Sequence, residues 1–267
     1  MKEVIALMCN STQIDRVAKT INQIRTRGQY DGDIVLFFDE DLPRFESIKL
    51  KFYKEKYNLI LKEFPKIDNS RMTDVLNRAT QDWGYDAKSK LFILHKFNVF
   101  DVYFKAWDKV FYIDAGMYIY HDLRRILDLD CSGTLLAHSN CYPQNYFRWN
   151  LHHQFNLNNE PEIVKKLYEN FDMNITDNFQ ATTLLFDTRI IEDNTLQTLI
   201  DLMNEYPISK AVDQGTLCLY FICMRNLWKP MPLMDKKGFL YDFWERFDYK
   251  YNDYVMLKYP RTDPNNS

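Results

Sequence analysis

The segment Lys109–Leu123, with the sequence KVFYIDAGMYIYHDL, places a carboxylate where an apolar run ends. Asp114 follows that run directly, and the next two residues, Ala115 and Gly116, are small. Mg²⁺ and Mn²⁺ prefer carboxylate and phosphate oxygens, so Asp114 could hold such an ion together with a phosphate-bearing molecule close to the backbone. The structural alternative is an Asp that begins a turn, with Gly116 supplying a positive φ angle.

Other polar residues interrupt or follow apolar segments. Lys96 could neutralise a diphosphate, because lysine carries a compact charge, or it could be a solvated charge on a helix. Gln180 lies in an otherwise apolar stretch and needs a hydrogen-bonding partner if it is buried. Asn10–Thr12 and Asp213 each precede a helical pattern, where their side chains could cap the helix, contact a ligand, or do both.

The histidines and cysteines do not form a recognisable metal pattern. The five histidines show no zinc spacing, and the five cysteines include no CxxC pair. An odd number of cysteines scattered through apolar runs predicts buried free thiols in a reducing compartment. An aromatic cluster beside Arg148 is typical of a loop in a sugar-binding cleft, with core packing as the alternative; it comprises Tyr142, Tyr146, Phe147 and Trp149.

The elements that must position these residues alternate between strands and helices. Strands are predicted at residues 3–9, 33–39 and 110–113, with a helix between the first two, and this β-α-β order indicates a mainly parallel sheet covered on both faces. Ligands of such sheets bind outside the carboxyl ends of the strands. Asp114, Asp39 and the residues after Cys9 fall at those ends, although Asp39–Asp41 also fits an exposed acidic turn.

The remaining pattern predicts one domain spanning 1–267. Strands are expected at 133–137 and 179–187, and helices at 45–63, 89–105, 162–170, 196–205 and 213–223. The segment 228–267 is rich in Pro, aromatic and charged residues and is predicted to be irregular. Its cations Lys258 and Arg261 could fold back over a diphosphate and close the donor site.

Composition limits the class of protein. The 267 residues are 46% hydrophobic and 16% aromatic, which is enough for a large core. The net charge of −3 gives no basic field for nucleic acid. The sequence shows neither a signal-peptide core nor a run of membrane-spanning length, so we expect a soluble cytoplasmic protein.

Four segments in order resemble glycosyltransferase family 8, the retaining glycosyltransferases of the glycogenin and galactinol-synthase type. The family's strand running into Asp-Ala-Asp is similar to KVFYIDAGMYIYHDL, and its preceding Lys is similar to Lys96 or Lys90. Phe179–Asp187 and the pair Asp213-Gln214 resemble two later family motifs. Agreement in order and spacing extends over roughly residues 3–225.

The resemblance implies a GT-A fold, with a Rossmann-like mixed, mainly parallel sheet flanked by helices. It also implies retaining transfer of a hexosyl unit from a nucleotide diphosphate sugar, expected to be a UDP-sugar, to a hydroxyl of a glycan, protein or small molecule. Asp213 and Gln214 would be the catalytic pair, one of them acting as nucleophile or as a cation-stabilising dipole. The donor-binding residues would be Asn10, Lys96, Asp114, Ala115, Gly116 and Gln180.

The chain departs from the family at Gly116, where the resemblance calls for a second metal-binding Asp. Of the two carboxylates in the family motif, only Asp114 is then present as a ligand for Mn²⁺ or Mg²⁺. Four alternatives follow: weak metal binding, a further ligand such as His121 or Asp122, donor binding without a metal, or an inactive protein. The function expected from the sequence is therefore a glycosyltransferase, and the alternative is a catalytically degenerate module that binds nucleotide or sugar.

Overall fold

A mixed seven-stranded sheet lies at the centre of the computed structural model, which describes residues 1–38, 44–79, 88–141, 150–243 and 253–258. Its strands follow the order β3-β2-β1-β4-β7-β6-β8. Their bounds are β1 Glu3–Met8, β2 Asp33–Phe38, β3 Leu59–Glu63, β4 Lys109–Ile113, β6 Leu135–Ser139, β7 Phe179–Asp187 and β8 Trp228–Pro230.

Most neighbouring strands of this sheet run parallel. β1 pairs in parallel with both β2 and β4, and β2 with β3, as the β-α-β pattern predicts. β7 is antiparallel to both β4 and β6, while β6 and β8 are parallel. The expected mixed, mainly parallel sheet is confirmed. Because β7 is reversed, its first residues lie at the same edge as the carboxyl end of β4.

Helices cover both faces of the sheet. Their bounds are α1 Ile14–Thr26, α2 Arg44–Tyr57, α3 Ser70–Arg78, α4 Arg124–Leu127, α5 Pro161–Asn170, α6 Thr195–Glu205 and α7 Gln214–Cys218. A π-helical turn over Leu219–Met224 continues α7. The helical predictions for 162–170, 196–205 and 213–223 are therefore confirmed.

Alternating strand residues form two hydrophobic cores, one on each face. Ile5 and Ile113 pack on the face that carries α1, whereas Val4 and Tyr112 pack on the opposite face with α6 and α7. All four side chains are fully buried. Burial on both faces explains why the central strands are continuous apolar runs in the sequence.

A second, four-stranded sheet corrects the prediction for the end of the chain. It has the order β5-β11-β10-β9 and contains β5 Met117–Ile119, β9 Met234–Asp235, β10 Gly238–Phe243 and β11 Tyr254–Lys258. The prediction that 228–267 is irregular is wrong for the parts of that segment that form β8, β9, β10 and β11. β11 is antiparallel to β5, which directly follows the Asp114 turn, and this pairing carries Lys258 to the carboxyl end of β4.

Two other elements also differ from prediction. The pattern over 45–63 predicted one helix, but α2 ends at Tyr57 and the chain reverses through Asn58, whose φ angle is positive, into β3. Residues 89–105 wind as two 3₁₀ helices, Lys88–Phe100 and Val102–Ala106. Asp101 divides them, and its side chain accepts a hydrogen bond from the backbone N–H of Tyr103.

Several predicted features lie outside the described residues: the acidic turn Asp39–Asp41, the aromatic cluster around Arg148, and Arg261. The five cysteines, all of which lie in the described ranges, form no disulfide; four are buried and Cys223 is partly exposed. In the ranges given above, no helix combines the length and apolar character needed to cross a bilayer.

Candidate functional site

The site forms where the carboxyl end of β4 meets the first residues of β7. Ile113 pairs with Thr183, and the backbone N–H of Asp114 donates to the carbonyl oxygen of Thr182 at 2.9 Å. Gln180, Ala181 and Thr182 therefore follow the edge of the sheet beside Asp114. The sequence placed Asp114 and Gln180 on separate strands, and the antiparallel pairing brings their segments together.

The side chain of Lys96 contacts residues from three separate segments at this edge. Its side chain is only 3% exposed, and its Nζ lies 2.6 Å from Asp213 Oδ2 and 3.3 Å from Asp114 Oδ1. The same ammonium group donates to the Ala181 carbonyl at 2.8 Å. Of the two alternatives for Lys96, the solvated charge on a helix is wrong, because the 3₁₀ helix directs this lysine into the core.

Both carboxylate oxygens of Asp114 have partners. Tyr112 donates its hydroxyl to Oδ1 at 2.7 Å, on the side that faces Lys96. Lys258, from β11, approaches Oδ2 at 3.2 Å and the carbonyl oxygen of Ala115 at 3.4 Å. Asp114 is thus held by two cations and a phenol, although it remains partly exposed.

These contacts shift the pKa values of the group in different directions. Burial raises the pKa of Asp114, but the charges of Lys258 and Lys96 outweigh it and hold that pKa below its usual value. Burial likewise lowers the pKa of Lys96, and the two carboxylates outweigh it and raise that pKa. For Asp213, burial dominates over Lys96 and raises the pKa. Asp114 is therefore the more strongly stabilised anion.

Asp213 occupies the position before α7 that the cap prediction assigned to it. Its side chain makes no capping hydrogen bond, however, and turns instead to Lys96. The predicted capping role is wrong because the ion pair with a buried ammonium outcompetes it. Asp213 is only 4% exposed, so its side chain is almost completely enclosed by the protein.

Gln214 is fixed by hydrogen bonds at both ends of its amide. Oε1 accepts from the backbone N–H of Ala181 at 3.2 Å, and Nε2 donates to Gln154 Oε1 at 2.8 Å. Gln154 in turn donates to Asn178 Oδ1 at 2.8 Å. This chain of amides ties the start of α7, next to Asp213, to the start of β7.

Gln180 and Asn10 lie at the same edge but outside this cluster. Gln180 is 4% exposed, and its Oε1 has no hydrogen-bonding partner within the described part of the chain. A buried amide oxygen in this state is available to a ligand hydroxyl. Asn10 follows β1, and its Oδ1 accepts from the Thr12 hydroxyl at 3.0 Å. The cap predicted for Asn10–Thr12 is wrong, since no side-chain hydrogen bond caps α1.

Gly116 adopts the positive φ angle that its turn requires, +82°. Its backbone N–H donates to the hydroxyl of Thr20 on α1 at 3.2 Å. A Cβ atom at this position would overlap the guanidinium group of Arg16, whose Nε, Nη2 and Cζ are the nearest atoms. A cationic side chain therefore occupies the space beside Gly116.

The side chains around Asp114 do not provide the oxygen ligands that Mn²⁺ or Mg²⁺ requires. Ammonium groups face both oxygens of Asp114, and Arg16 stands where a second carboxylate would project. Asp122, a candidate additional ligand, accepts the backbone N–H of Arg124 at the start of α4. Among the residues that the structure describes, no three His, Cys, Asp or Glu side chains form a metal-binding group.

Sequence reasoning missed two members of the cluster. Tyr112 lies within an apolar strand, and nothing in that run distinguishes its hydroxyl as a partner of Asp114. Arg16 is one of many charged residues on an amphipathic helix. The only available signal was indirect: a small residue at 116 leaves space that a side chain from a neighbouring element can fill.

Comparisons with solved structures show the fold of glycosyltransferases. The galactosyltransferase LgtC, solved with donor and acceptor sugar analogues, has a TM-score of 0.59 at 10% identity, covering 96% of this chain and 86% of LgtC. The bifunctional glycosyltransferase WbbM has a TM-score of 0.58 at 14% identity, covering 98% of this chain and 46% of WbbM. The expected GT-A fold is confirmed. The chain spans less than half of WbbM.

A third structure bears on metal use. Core-mannan synthase A from Aspergillus fumigatus, in its Mn/GDP form, has a TM-score of 0.52 at 9% identity. The match covers 86% of this chain and 72% of the chain of core-mannan synthase A. That protein was solved with manganese and GDP. In this chain, the side chains around Asp114 do not supply the oxygen ligands that such an ion requires, as described above.

Sequence comparison identifies the family. No curated protein matches the chain. The family model described as glycosyl transferase family 8 matches residues 12–234, which is most of the chain and includes Lys96, Asp114, Gln180 and Asp213. The match agrees with the resemblance drawn from the four sequence segments, and the chain belongs to glycosyltransferase family 8.

Proposed function

We propose that the protein transfers a hexosyl unit from a nucleotide diphosphate sugar, a UDP-sugar, to a hydroxyl acceptor with retention of anomeric configuration. The observation that carries the proposal is the joining of Asp114 and Asp213 through one buried ammonium, with Lys96 Nζ at 3.3 and 2.6 Å. Charge networks of this kind with shifted pKa values concentrate at functional sites. Family membership makes sugar transfer the reaction class.

We assign the donor to the edge formed by β1, β4 and β7. Asn10 and Asp114 follow β1 and β4 and would contact the nucleoside, with Asp114 facing the ribose. Ala115 and Gly116 are small, so that the diphosphate can lie close to the turn and to the cations that cover it. Gln180, with its unpartnered amide oxygen, would accept a hydrogen bond from a sugar hydroxyl.

Asp213 is proposed to act next to the anomeric carbon. During transfer, the bond between that carbon and the diphosphate oxygen breaks, the bond to the acceptor oxygen forms, and the acceptor proton passes to the departing diphosphate. The transition state resembles an oxocarbenium ion, which a carboxylate or an amide dipole stabilises. Gln214 is the second proposed catalytic residue. Both ends of its amide are hydrogen-bonded, to Ala181 and to Gln154, so the amide would act from that fixed position.

The domain organisation and the acceptor are also part of the proposal. We propose that residues 1–267 act as one glycosyltransferase domain, with the second sheet beside the donor site through Lys258. The acceptor is a hydroxyl of a glycan, a protein or a small molecule.

Product analysis tests this function. The purified protein would be incubated with a panel of UDP-hexoses and simple hydroxyl acceptors, and the anomeric configuration of each product followed by proton NMR. Release of UDP with a product of unchanged anomeric configuration is the expected result. An inverted product would overturn retention, and binding of UDP-sugars without any transfer or donor hydrolysis would overturn catalysis.

That last outcome corresponds to a second candidate, a degenerate module that binds nucleotide or sugar. Two observations favour it: Gly116 removes a carboxylate that the family resemblance requires, and Asp213 is almost completely buried beside Lys96. Slow donor hydrolysis, abolished in an Asp213→Asn variant, distinguishes an enzyme from such a module.

A further inference from the structure

We propose that Arg16 and Lys258 bind the diphosphate of the donor in place of a divalent cation, so that donor binding in this chain does not depend on metal. The inference rests on the proposed function, because it concerns the same nucleotide diphosphate. It departs from the metal expected for the family and follows from the side chains present.

The first observation concerns the turn Asp114–Gly116, which is covered by cations from two separate elements. Arg16, on α1, places its guanidinium over Gly116, where a Cβ atom would stand. Lys258, on β11, contacts both Asp114 Oδ2 and the Ala115 carbonyl. Every residue of the turn is therefore adjacent to a cation.

The second observation is an imbalance of charge. The described cluster contains three cations, Arg16, Lys96 and Lys258, but Asp114 and Asp213 are its only carboxylates. Lys96 contacts both of them and Lys258 contacts one, whereas Arg16 forms no ion pair with any described carboxylate. Within the described part of the chain, one positive charge of the cluster thus has no counter-charge, and an anionic ligand would supply it.

The third observation is access. Arg16 is exposed, and the Lys258 side chain retains 16% exposure, whereas Lys96 is closed off at 3%. A ligand can therefore reach the two outer cations while Lys96 holds the carboxylates from within. An arginine presents several N–H donors in a planar fork that matches phosphate oxygens, and a lysine adds a point charge. A diphosphate offers oxygens to both.

A divalent cation would have to displace these groups. It would compete with Lys258 for Asp114 Oδ2 and with the Tyr112 hydroxyl and Lys96 for Oδ1, and it would lie against the positive charge of Arg16. Like charges at such separations repel, and a single carboxylate does not offset that repulsion. The arrangement that favours a diphosphate is therefore the one that disfavours a metal ion.

Calorimetric titration with UDP tests the inference, in buffer containing EDTA and again in buffer containing Mn²⁺. The dissociation constant is expected to be the same in both. Arg16→Ala and Lys258→Met should each raise it by about tenfold to a hundredfold, as for loss of hydrogen bonds to charged groups. Lys19→Ala, exposed on the same helix, and Lys236→Met, exposed near β9, are matched controls that should leave it unchanged.

The outcomes separate this inference from the proposed function. Binding of UDP only with Mn²⁺ would overturn the inference and leave nucleotide-sugar transfer standing. Metal-independent binding that both site variants leave unchanged would also overturn it, since other groups would then hold the diphosphate. Absence of binding in both buffers, to UDP and to other nucleoside diphosphates, would overturn the inference and the proposed donor together.

Discussion

The Nζ atom of Lys96 lies 2.6 Å from Oδ2 of Asp213, and the two side chains are only 3% and 5% exposed. An ion pair removed from water in this way has lost most of its hydration, so each charge depends on the other. The pair also joins the 3₁₀ helix Lys88–Phe100 to the start of α7. It lies next to the carboxyl end of β4 and the first residues of β7. Stability and activity are therefore expected to be linked at this position.

Replacing Lys96 with Met should strongly destabilise the fold. Asp213 would remain buried without its cation, and breaking a buried pair in this way costs about 3–5 kcal/mol. Urea unfolding measures the change. The double variant Lys96→Met/Asp213→Asn removes both charges and should be more stable than the single variant. A double variant as unstable as the single one would contradict the interdependence of the pair.

Replacing Asp213 with Asn should reduce kcat by about a hundredfold, the usual effect of losing one stabilising group at a developing charge. Its affinity for UDP should not change, because the diphosphate is assigned to the other side of Asp114. Steady-state kinetics with the active donor and UDP titration provide the two measurements. Asp201→Asn, on the exposed face of α6, is the control. An unchanged kcat would exclude Asp213 from catalysis.

Replacing Gly116 with Ala should destabilise the protein by about 1 kcal/mol and also weaken UDP binding. The backbone penalty arises because φ is +82°, and the added Cβ must displace the Arg16 guanidinium. Gly133→Ala is a matched control, since Gly133 has φ of +61° with no atom within 4 Å of its Cβ position. It should cost similar stability and leave UDP binding intact. Equal UDP affinities in the two variants would argue against a role for the displaced guanidinium.

The ion pair between Arg125 and Asp235 should make stability depend on acidic pH. Arg125 Nε donates to Asp235 Oδ2 at 2.8 Å, and this contact is the main cause that lowers the pKa of Asp235 from 3.8 to about 2. A carboxyl group with a lowered folded-state pKa stabilises the protein above its unfolded pKa, and that contribution is lost as pH falls towards 2.

Arg125→Ala should therefore lower the free energy of unfolding by about 1 kcal/mol near neutral pH, and the difference from the parent should shrink below about pH 4. Urea unfolding over a series of pH values provides the measurement. Lys105→Ala removes a looser pair, with Lys105 and Asp193 atoms 3.9 Å apart, and should show neither effect. A difference between parent and Arg125→Ala that persists at the lowest pH would contradict this assignment.

The elements that the sequence predicted correctly are those that local patterning dictates. Strands β1, β2 and β4 are apolar because both faces of the central sheet are covered, and α1 and α6 repeat their buried residues at helical spacing. The strands of the second sheet were missed because their sequences are mixed in composition and their pairing is long-range. β11 pairs with β5, which lies far away in the chain, and with β10, and local pattern does not report such pairing.

The candidate site divides in the same way. The family resemblance and the carboxylate at the exit of β4 were predicted from the sequence alone, because the residues of the Asp114 turn and of Asp213-Gln214 are contiguous and ordered along the chain. The burial of Lys96 between two carboxylates becomes evident only in the folded structure, as does the cover of Arg16 and Lys258 over the turn beside Gly116. Those contacts join residues from separate elements, and their energies depend on burial and charge balance, which exist only once the chain has folded.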